Sequence, residues 1–348
     1  MPTLAIIIVS WNTCDLLHRS IQTVHASLAG AGIDYTIVVV DNASSDGTPA
    51  MLRAEHPEVD LLEAGRNLGF AGGNNLALRR VLGDGRWEMG NGDQPPTRNS
   101  QLPTPDYVLL LNPDTEVVGD AIQALVRYME EHPDVAVAGP QLRYADGSVQ
   151  SSRRRFPTKG VYFWESTPLA QRWPNNPWAR RYRLVDTPDN MNQEVDWLVG
   201  AALLVRRSAI ERAGLLDAGF TMYSEELEWQ RRIRGLGVGS WELEEDLQPP
   251  TPNSQLPRIV YLPTAVIIHH EGKSSEQAPA RRYLNFQRSR LRDAHMVYGL
   301  RFAARLRLFL RAAYAAELVI EAAKWLIGHK RALRAQRIGV YRQVLREL

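Results

Sequence analysis

The sequence predicts an α/β fold: a mostly parallel central sheet flanked by helices, with a helical extension at the C-terminus. Three observations carry that prediction. Leu4–Ser10, Tyr35–Val40 and Tyr107–Leu111 are short, almost wholly apolar runs, the pattern of strands buried on both faces. Leu16, Leu17, Ile21, Val24 and Leu28 recur at helical spacing between the first two, so strand, helix, strand reads as the crossover unit of a parallel sheet. Late in the chain the apolar residues keep helical spacing while the positions between them are basic.

In chain order, Asn12 or Thr13 is placed to cap the first helix, and Gly30 and Gly32 stop it. The second strand ends in Asp41-Asn42-Ala43-Ser44-Ser45-Asp46-Gly47-Thr48. An aspartate at the carboxyl end of a buried strand can accept hydrogen bonds from a ribose or a base, whereas Asp46 and Thr48 read as turn and cap residues for a helix over 49–55. A third strand, Val59–Glu63, leads into Gly65-Arg66-Asn67-Leu68-Gly69-Phe70-Ala71-Gly72-Gly73-Asn74-Asn75. Its glycines permit a tight turn and close approach of a ligand to the backbone, with a helix starting at Asn74 and Asn75. The stretch is neither G-x-G-x-x-G nor a phosphate loop ending in Lys-Ser/Thr, which argues against a nicotinamide cofactor and an ATPase.

Tyr107–Leu111 stops abruptly on Asn112-Pro113-Asp114. Asp114 then either holds a hard divalent cation against a diphosphate or merely caps the strand through an Asx-turn. A helix over 120–131 and a strand over 135–138 follow. Arg153, Arg154, Arg155 and Phe156 open a stretch with Trp164, Trp173, Trp178 and Tyr182; it reads as a wall for a sugar acceptor in preference to a nucleic-acid surface. Glu194–Val205 reads as one strand with Gly200 near its middle, where a ligand can come close. After a helix over Arg207–Ala213, the carboxylates Glu225, Glu226 and Glu228 open an amphipathic helix whose last turns hold Arg231 and Arg232, a charge order that also suits the helix dipole. Arg258–Leu262 and Ala265–His269 are the last strands, and His269 and His270 leave the second one as ligand or metal contacts. The near-identical decapeptides Gln94–Pro103 and Gln248–Pro257 mark inserted surface loops over about 83–105 and 242–257.

Of the 348 residues, 44% are hydrophobic and 23% charged, a balance that fits a globular enzyme and not a disordered chain. The single cysteine, Cys14, excludes an internal disulfide and a cysteine-built zinc site and fits a reducing compartment. Met1–Val9 lacks a basic leader and a cleavage site, and no segment is long and uncharged enough to cross a bilayer. Residues 281–348 carry sixteen Lys/Arg against four Asp/Glu, so a tail of +12 follows a body of about −10 within a net charge of +2. Arg301, Arg305, Arg311, Lys330, Arg331, Arg334 and Arg337 alternate with Phe302, Leu306, Leu310, Trp325, Leu326 and Leu333. Such helices either lie on an anionic membrane surface or dock on the body of the protein. The expected location is cytoplasmic, peripheral on the inner face of the cell membrane.

Taken as a set, Ile6–Asn12, Val39–Thr48, Asn67–Asn75, Leu110–Asp114, Gly200-Ala201, Tyr223–Glu228 and His269–Gly272 resemble the inverting family 2 glycosyltransferases, in their rhamnosyltransferase-like branch. The motifs span most of the chain up to about Ser275, in the family's order. The resemblance implies the GT-A nucleotide-diphospho-sugar transferase fold over 1–275 and a basic helical region over 276–348. It implies that Asp41 contacts the donor nucleoside and that Ser10, Asn67, Asn74, Asn112 and Gly200 belong to the donor site. Asp114, with His269 and His270, would hold Mg2+ or Mn2+ against the diphosphate. The family's Glu-Asp pair falls on Glu225 and Glu226, which makes Glu226 the catalytic base, one methylene longer than the usual aspartate, with Glu225 as the fallback. The implied donor is a dTDP- or UDP-sugar, dTDP-rhamnose first and UDP-galactofuranose as the alternative. The implied acceptor is a hydroxyl of a glycan or lipid-linked molecule in cell-surface polysaccharide synthesis. A sugar nucleotidyltransferase would need a loop rich in glycine and basic residues where Ser10-Trp11-Asn12-Thr13-Cys14 stands, and a non-catalytic binding protein would have lost Asp114 or Glu226.

Overall fold

A computed structural model describes residues 1–83, 104–165, 167, 170, 172–220, 222–236, 257–271 and 279–348, the last segment without the side chains of 279–281. The strands are β1 (Thr3–Ser10), β2 (Asp34–Asp41), β3 (Asp60–Glu63), β4 (Tyr107–Leu111), β5 (Thr115–Val118), β6 (Val135–Arg143), β7 (Arg153–Arg154), β8 (Gln193–Glu194), β9 (Trp197–Leu198), β10 (Ala202–Arg206) and β11 (Arg258–His269). The helices are α1 (Cys14–Leu28), α2 (Thr48–Glu55), α3 (Gly69–Leu82), α4 (Ala121–Glu131), α5 (Lys159–Trp164), α6 (Pro177–Tyr182), α7 (Arg207–Ala213), α8 (Glu225–Ile233), α9 (Pro279–Leu326) and α10 (Arg331–Glu347). The repeated decapeptides lie outside the described residues apart from Pro257, as does the 275/276 boundary expected between catalytic and helical regions.

One mixed sheet organises the chain, in the order β3-β2-β1-β4-β10-β6-β11-β5, with β8 also pairing with β11. Six of these strands run the same way; β10, β5 and β8 oppose them. Because side chains alternate across a strand, Ile6 and Ile8 face one layer and Ile7 the other. The first layer packs Leu17, Ile21 and Val24 of α1 with Ile122, Leu125 and Met129 of α4. The second packs Leu78 and Val81 of α3 with Ile210 of α7 and Trp229 and Ile233 of α8. Each such aliphatic side chain, fully buried, contributes about 1.5–3 kcal/mol.

Several local expectations are corrected by packing between elements. Helix α3 starts at Gly69, five residues before Asn74, so most of the glycine-rich stretch is helical. A Cβ on Gly73 would stand 2.7 Å from Val9 Cγ1, so this glycine lets α3 lie close on β1. Thr13 makes no side-chain cap for α1. The Cys14 amide instead donates to Asp46 Oδ2 at 2.9 Å, a partner supplied across the fold. The single strand expected over 194–205 is three short ones, β8, β9 and β10, interrupted at Gly200. The two strands expected at 258–262 and 265–269 are one, with an irregularity between Leu262 and Val266.

The tail docks on the body. Helix α9, kinked at Gly299 with φ +78°, sets Leu291, Ala294, Phe302, Leu306, Leu310 and Tyr314 against Tyr162 of α5 and Val344 of α10. Its Asp293 forms a buried ion pair with Arg231 of α8 at 2.6 Å and also accepts from the Tyr162 hydroxyl. Ser289 Oγ donates to Met222 O at 2.7 Å and Arg292 pairs with Asp217 at 2.7 Å. Removing Asp293 leaves a buried guanidinium without its carboxylate, so Asp293→Ala is expected to destabilise the fold by about 3–5 kcal/mol. Thermal or urea unfolding measures this; an unchanged midpoint would show that the pair does not hold α9 to α8.

Candidate functional site

Because six strands share a direction, Ser10, Asp41, Leu111 and His269 all finish at one edge of the sheet. Ser10 stands opposite Asp41, and Leu111 opposite both Ile8 and Ala202. The Asn112 amide donates to Ala201 O at 2.9 Å, so the turn at Gly200 and Ala201 lies beside the Asn112–Asp114 stop. His269 is paired with Thr115 across β11 and β5, which sets it next to Asp114. Five non-glycine residues with left-handed backbones cluster in the loops at this edge or at the start of α8: Asn12, Ala43, Tyr223, Ser224 and Glu271. Strain of this kind, about 1–3 kcal/mol per residue, concentrates where geometry serves a site.

Asp41 is buried. Its Oδ2 accepts from the Ser44 amide at 3.1 Å, while Oδ1 is buried with no partner among the described residues. An orphaned buried carboxylate oxygen costs about 1–3 kcal/mol unless a ligand supplies a donor. The loops around it are clasped together: the Asn12 amide donates to Ser44 Oγ at 3.0 Å and the Ser45 amide to Asn12 Oδ1 at 2.8 Å. Asp46 accepts from both the amide and hydroxyl of Thr48, the turn role read from the sequence. Ser10 Oγ lies 3.0 Å from Thr13 Oγ1 beneath these loops. Asn42 ties the end of β2 to the glycine loop, accepting from the Leu68 amide at 3.3 Å and donating to Gly69 O at 3.1 Å. Asn67 accepts from the Gly69 amide at 2.9 Å and opens α3. Asn74 lies inside α3, buried, its amide donating to Phe70 O at 2.9 Å, and no described contact joins it to Asp41 or Asp114.

At the end of β11, His269 Nε2 faces Asp114 Oδ1 at 3.3 Å and Asn112 Nδ2 at 3.4 Å. His269 Nδ1 lies 2.9 Å from Gln150 Oε1, and Gln150 Nε2 donates to Glu271 Oε2 at 2.8 Å. Gln150 thus takes the Nδ1 hydrogen and turns the Nε2 lone pair toward Asp114. A ring lone pair and a carboxylate oxygen facing each other at that distance suit a shared cation. His270 points elsewhere, with Nε2 2.8 Å from Glu116 Oε1, although its backbone amide donates to Asp114 O at 2.9 Å. Of the two histidines, only His269 has its ring against Asp114.

Glu225 and Glu226 open α8 immediately after the left-handed pair Tyr223 and Ser224. A Cβ on Gly200 would lie 3.3 Å from Glu226 Cγ, so the glycine makes room for this side chain. Burial pushes the Glu226 carboxyl above the ordinary carboxylate value, against the pull of its own amide, the Gly200 amide and the charge of Arg154. Burial and the neighbouring Glu226 charge push the Glu225 carboxyl well above the ordinary value as well. One oxygen of each, Glu225 Oε2 and Glu226 Oε2, is buried without a partner among the described residues. Gln150 and Asn42 were not singled out from the sequence. Gln150 carries no local signal, since its partner His269 is 119 residues away. Asn42 stands beside Asp41 in a motif that did mark the neighbourhood.

A family model described as Glycosyl transferase family 2 matches residues 5–213. The chain belongs to this family. A rhamnosyltransferase of Mycobacterium tuberculosis, the N-acetylglucosaminyl-diphospho-decaprenol L-rhamnosyltransferase, is 31% identical over 248 residues, covering 70% of this chain and 69% of that one. A low-salt glycan biosynthesis hexosyltransferase of Haloferax volcanii is 24% identical over 234 residues, covering 67% of this chain and 62% of the relative. Among solved structures, a mannosyltransferase from Pyrobaculum calidifontis in complex with GDP-Man and Mn2+ superposes with a TM-score of 0.50 at 16% identity, over 99% of this chain and 85% of that one. The protein is a glycosyltransferase with the GT-A fold, and the edge built from Asp41, Asp114 and Glu226 is its candidate active site. No described helix of this glycosyltransferase is long and apolar enough to cross a membrane.

Proposed function

We propose that this glycosyltransferase moves rhamnose from dTDP-rhamnose to a hydroxyl of a glycan or lipid-linked acceptor, inverting the anomeric centre, with Mg2+ or Mn2+ bound at Asp114 and His269. The observation that carries the reading is the meeting, at one sheet edge, of an orphaned Asp41 oxygen, the Asp114–His269 pair and the half-buried Glu226 with its own orphaned oxygen. The 31% identical relative, named for rhamnosyl transfer to a lipid-linked acceptor, supports the donor and acceptor class. The mannosyltransferase of like fold, solved with a nucleotide sugar and Mn2+, supports the cofactor class. Residues 1–275 are taken as the transfer unit and 276–348 as a helical extension.

In this reading Asp41 Oδ1 accepts from the donor nucleoside, while Ser10, Asn67 and the helix start at Gly69 shape the pocket around it. Asp114 and His269 Nε2 would hold the divalent cation, while His270 stays with Glu116. A cation there would supply positive charge beside the departing nucleoside diphosphate. Glu226 Oε2 takes the proton of the acceptor hydroxyl. The acceptor oxygen bonds to the anomeric carbon from the face opposite the diphosphate, whose bond to that carbon breaks with the electron pair leaving on phosphate oxygen. Because burial raises the Glu226 carboxyl, the base is stronger than an exposed glutamate. Trp173 and Trp178, both exposed and packed with Trp164, offer a wall for the acceptor.

The tip of the tail suits a membrane-bound acceptor. Leu326 and Ile327 are 68% and 80% exposed, beside the half-exposed Trp325 and Leu333 and the cations Lys324, Lys330 and Arg331. An apolar tip rimmed by cations fits the inner, anionic face of a cell membrane.

Calorimetric titration with dTDP, UDP, GDP and ADP, each with and without Mn2+, tests the donor site. Metal-dependent binding of dTDP, weakened in Asp114→Asn, is expected; binding of UDP instead would move the donor to the UDP-sugars, and binding of none would sink the reading. Glu226→Gln is expected to lower turnover by roughly 10²–10⁴ with donor binding retained. Since the base must be ionised, the wild-type rate falls as pH drops through a midpoint above that of an ordinary carboxylate; a wild-type rate flat across the acid range, or a variant with full turnover, removes Glu226 as base. Co-sedimentation with phosphatidylglycerol vesicles, lost in Leu326→Glu/Ile327→Glu, checks the membrane tip; equal pelleting of both proteins refutes it.

A further inference from the structure

Three histidines and two glutamates gather at the end of the sheet opposite the donor site, where α1 finishes and the chain passes from α2 into β3. His18 and His25 lie on α1, Glu55 ends α2, and His56 and Glu58 follow it. We propose that His25, His56 and Glu58 form a binding site for a transition-metal ion of the zinc class, separate from the cation site of sugar transfer.

Glu58 Oε1 lies 2.9 Å from His25 Nε2 and 3.5 Å from His56 Nδ1, and all three atoms are within 4.8 Å of one another. Metal bonds of ~2.0–2.1 Å in a tetrahedron set ligand atoms about 3.3 Å apart, so two of the separations already bracket the needed value. The outer partners choose the ring nitrogens. His25 Nδ1 lies 2.7 Å from the Tyr35 hydroxyl, and His56 Nε2 lies 3.0 Å from His18 Nδ1, whose own Nε2 is 2.9 Å from the Gln22 amide. As the contacts stand, Gln22 Nε2 donates to His18 Nε2 and His18 Nδ1–H donates to His56 Nε2; metal binding requires the Gln22 amide to turn over, so that its oxygen accepts from His18 Nε2–H and His18 Nδ1 accepts from His56 Nε2–H, which with His25 Nδ1–H donating to Tyr35 frees the two nitrogens nearest Glu58 to ligate.

The ligand types select the class of ion. Two imidazoles and one carboxylate favour zinc and its neighbours over magnesium or calcium, which prefer oxygen alone. Partial exposure of His25 and Glu58 leaves a side open for water as a fourth ligand. Bound metal would pin the last turn of α1 to the segment entering β3.

The full chain, stripped with EDTA, is titrated with ZnCl2 in excess Mg2+, and separately with Co2+ followed by its visible absorption. One tight equivalent with a tetrahedral Co2+ spectrum is expected, retained in His269→Ala, lost in His25→Ala and in Glu58→Gln, and weakened about 10–100-fold in Tyr35→Phe through its outer partner. Circular dichroism checks that each variant is folded. Binding that disappears in His269→Ala but survives in His25→Ala and Glu58→Gln would assign the ion to the donor site, and absence of any tight equivalent would leave the cluster as a hydrogen-bonded network; either result overturns the proposal.

Discussion

Alignment of strand ends is the constraint on which the rest of this structure depends. Parallel pairing of β1 with β2 and β4 brings Ser10, Asp41 and the Asn112–Asp114 stop to a common edge. The reversed β10, inserted between β4 and β6, begins beside that edge and so delivers Gly200 and Ala201 to it. Acceptors are thereby concentrated: orphaned oxygens of Asp41, Glu225 and Glu226 all lie buried. Such groups oppose folding by about 1–3 kcal/mol each, and the apolar layers on both faces of the sheet offset them. The arrangement is stable as a fold and unsatisfied as a site, which is the state a ligand can complete.

Helix α8 joins those two demands. Its first residues carry the carboxylates and follow two strained, left-handed residues, while its middle is anchored by fully buried Trp229, whose indole donates to Gly214 O at 2.8 Å. Its far side is held by the Arg231–Asp293 pair from the tail. The basic tail therefore does structural service at α8 along its docked half, while the turn between α9 and α10 keeps its apolar residues in solvent. Of the two readings of the tail taken from its sequence, docking on the body is the one seen along that half.

Where the local sequence misled, the deciding partner was remote. Thr13 looks like a helix cap, yet Asp46 takes the Cys14 amide because the loops after β1 and β2 interlock. The glycines of 69–73 look like a turn, yet they lie in α3, where Gly73, lacking a Cβ, lets the helix approach Val9. His269 and His270 are neighbours in sequence, but strand alternation sends one ring to Asp114 and the other to Glu116.

The sequence alone determined the α/β class, the order of the main strands, the family, and the aspartates at the ends of buried strands. Hydrophobic period and strand-terminating residues are local properties, set within a few positions of the chain. Tertiary structure decided which acceptors come to one edge of the sheet, which histidine meets Asp114, how Gln150 orients it, and that Asp293 secures α8. Those outcomes depend on pairs separated by 62 to 157 residues, as with Arg231 and Asp293 or Asn112 and His269, and no local pattern encodes a distance between groups so far apart along the chain.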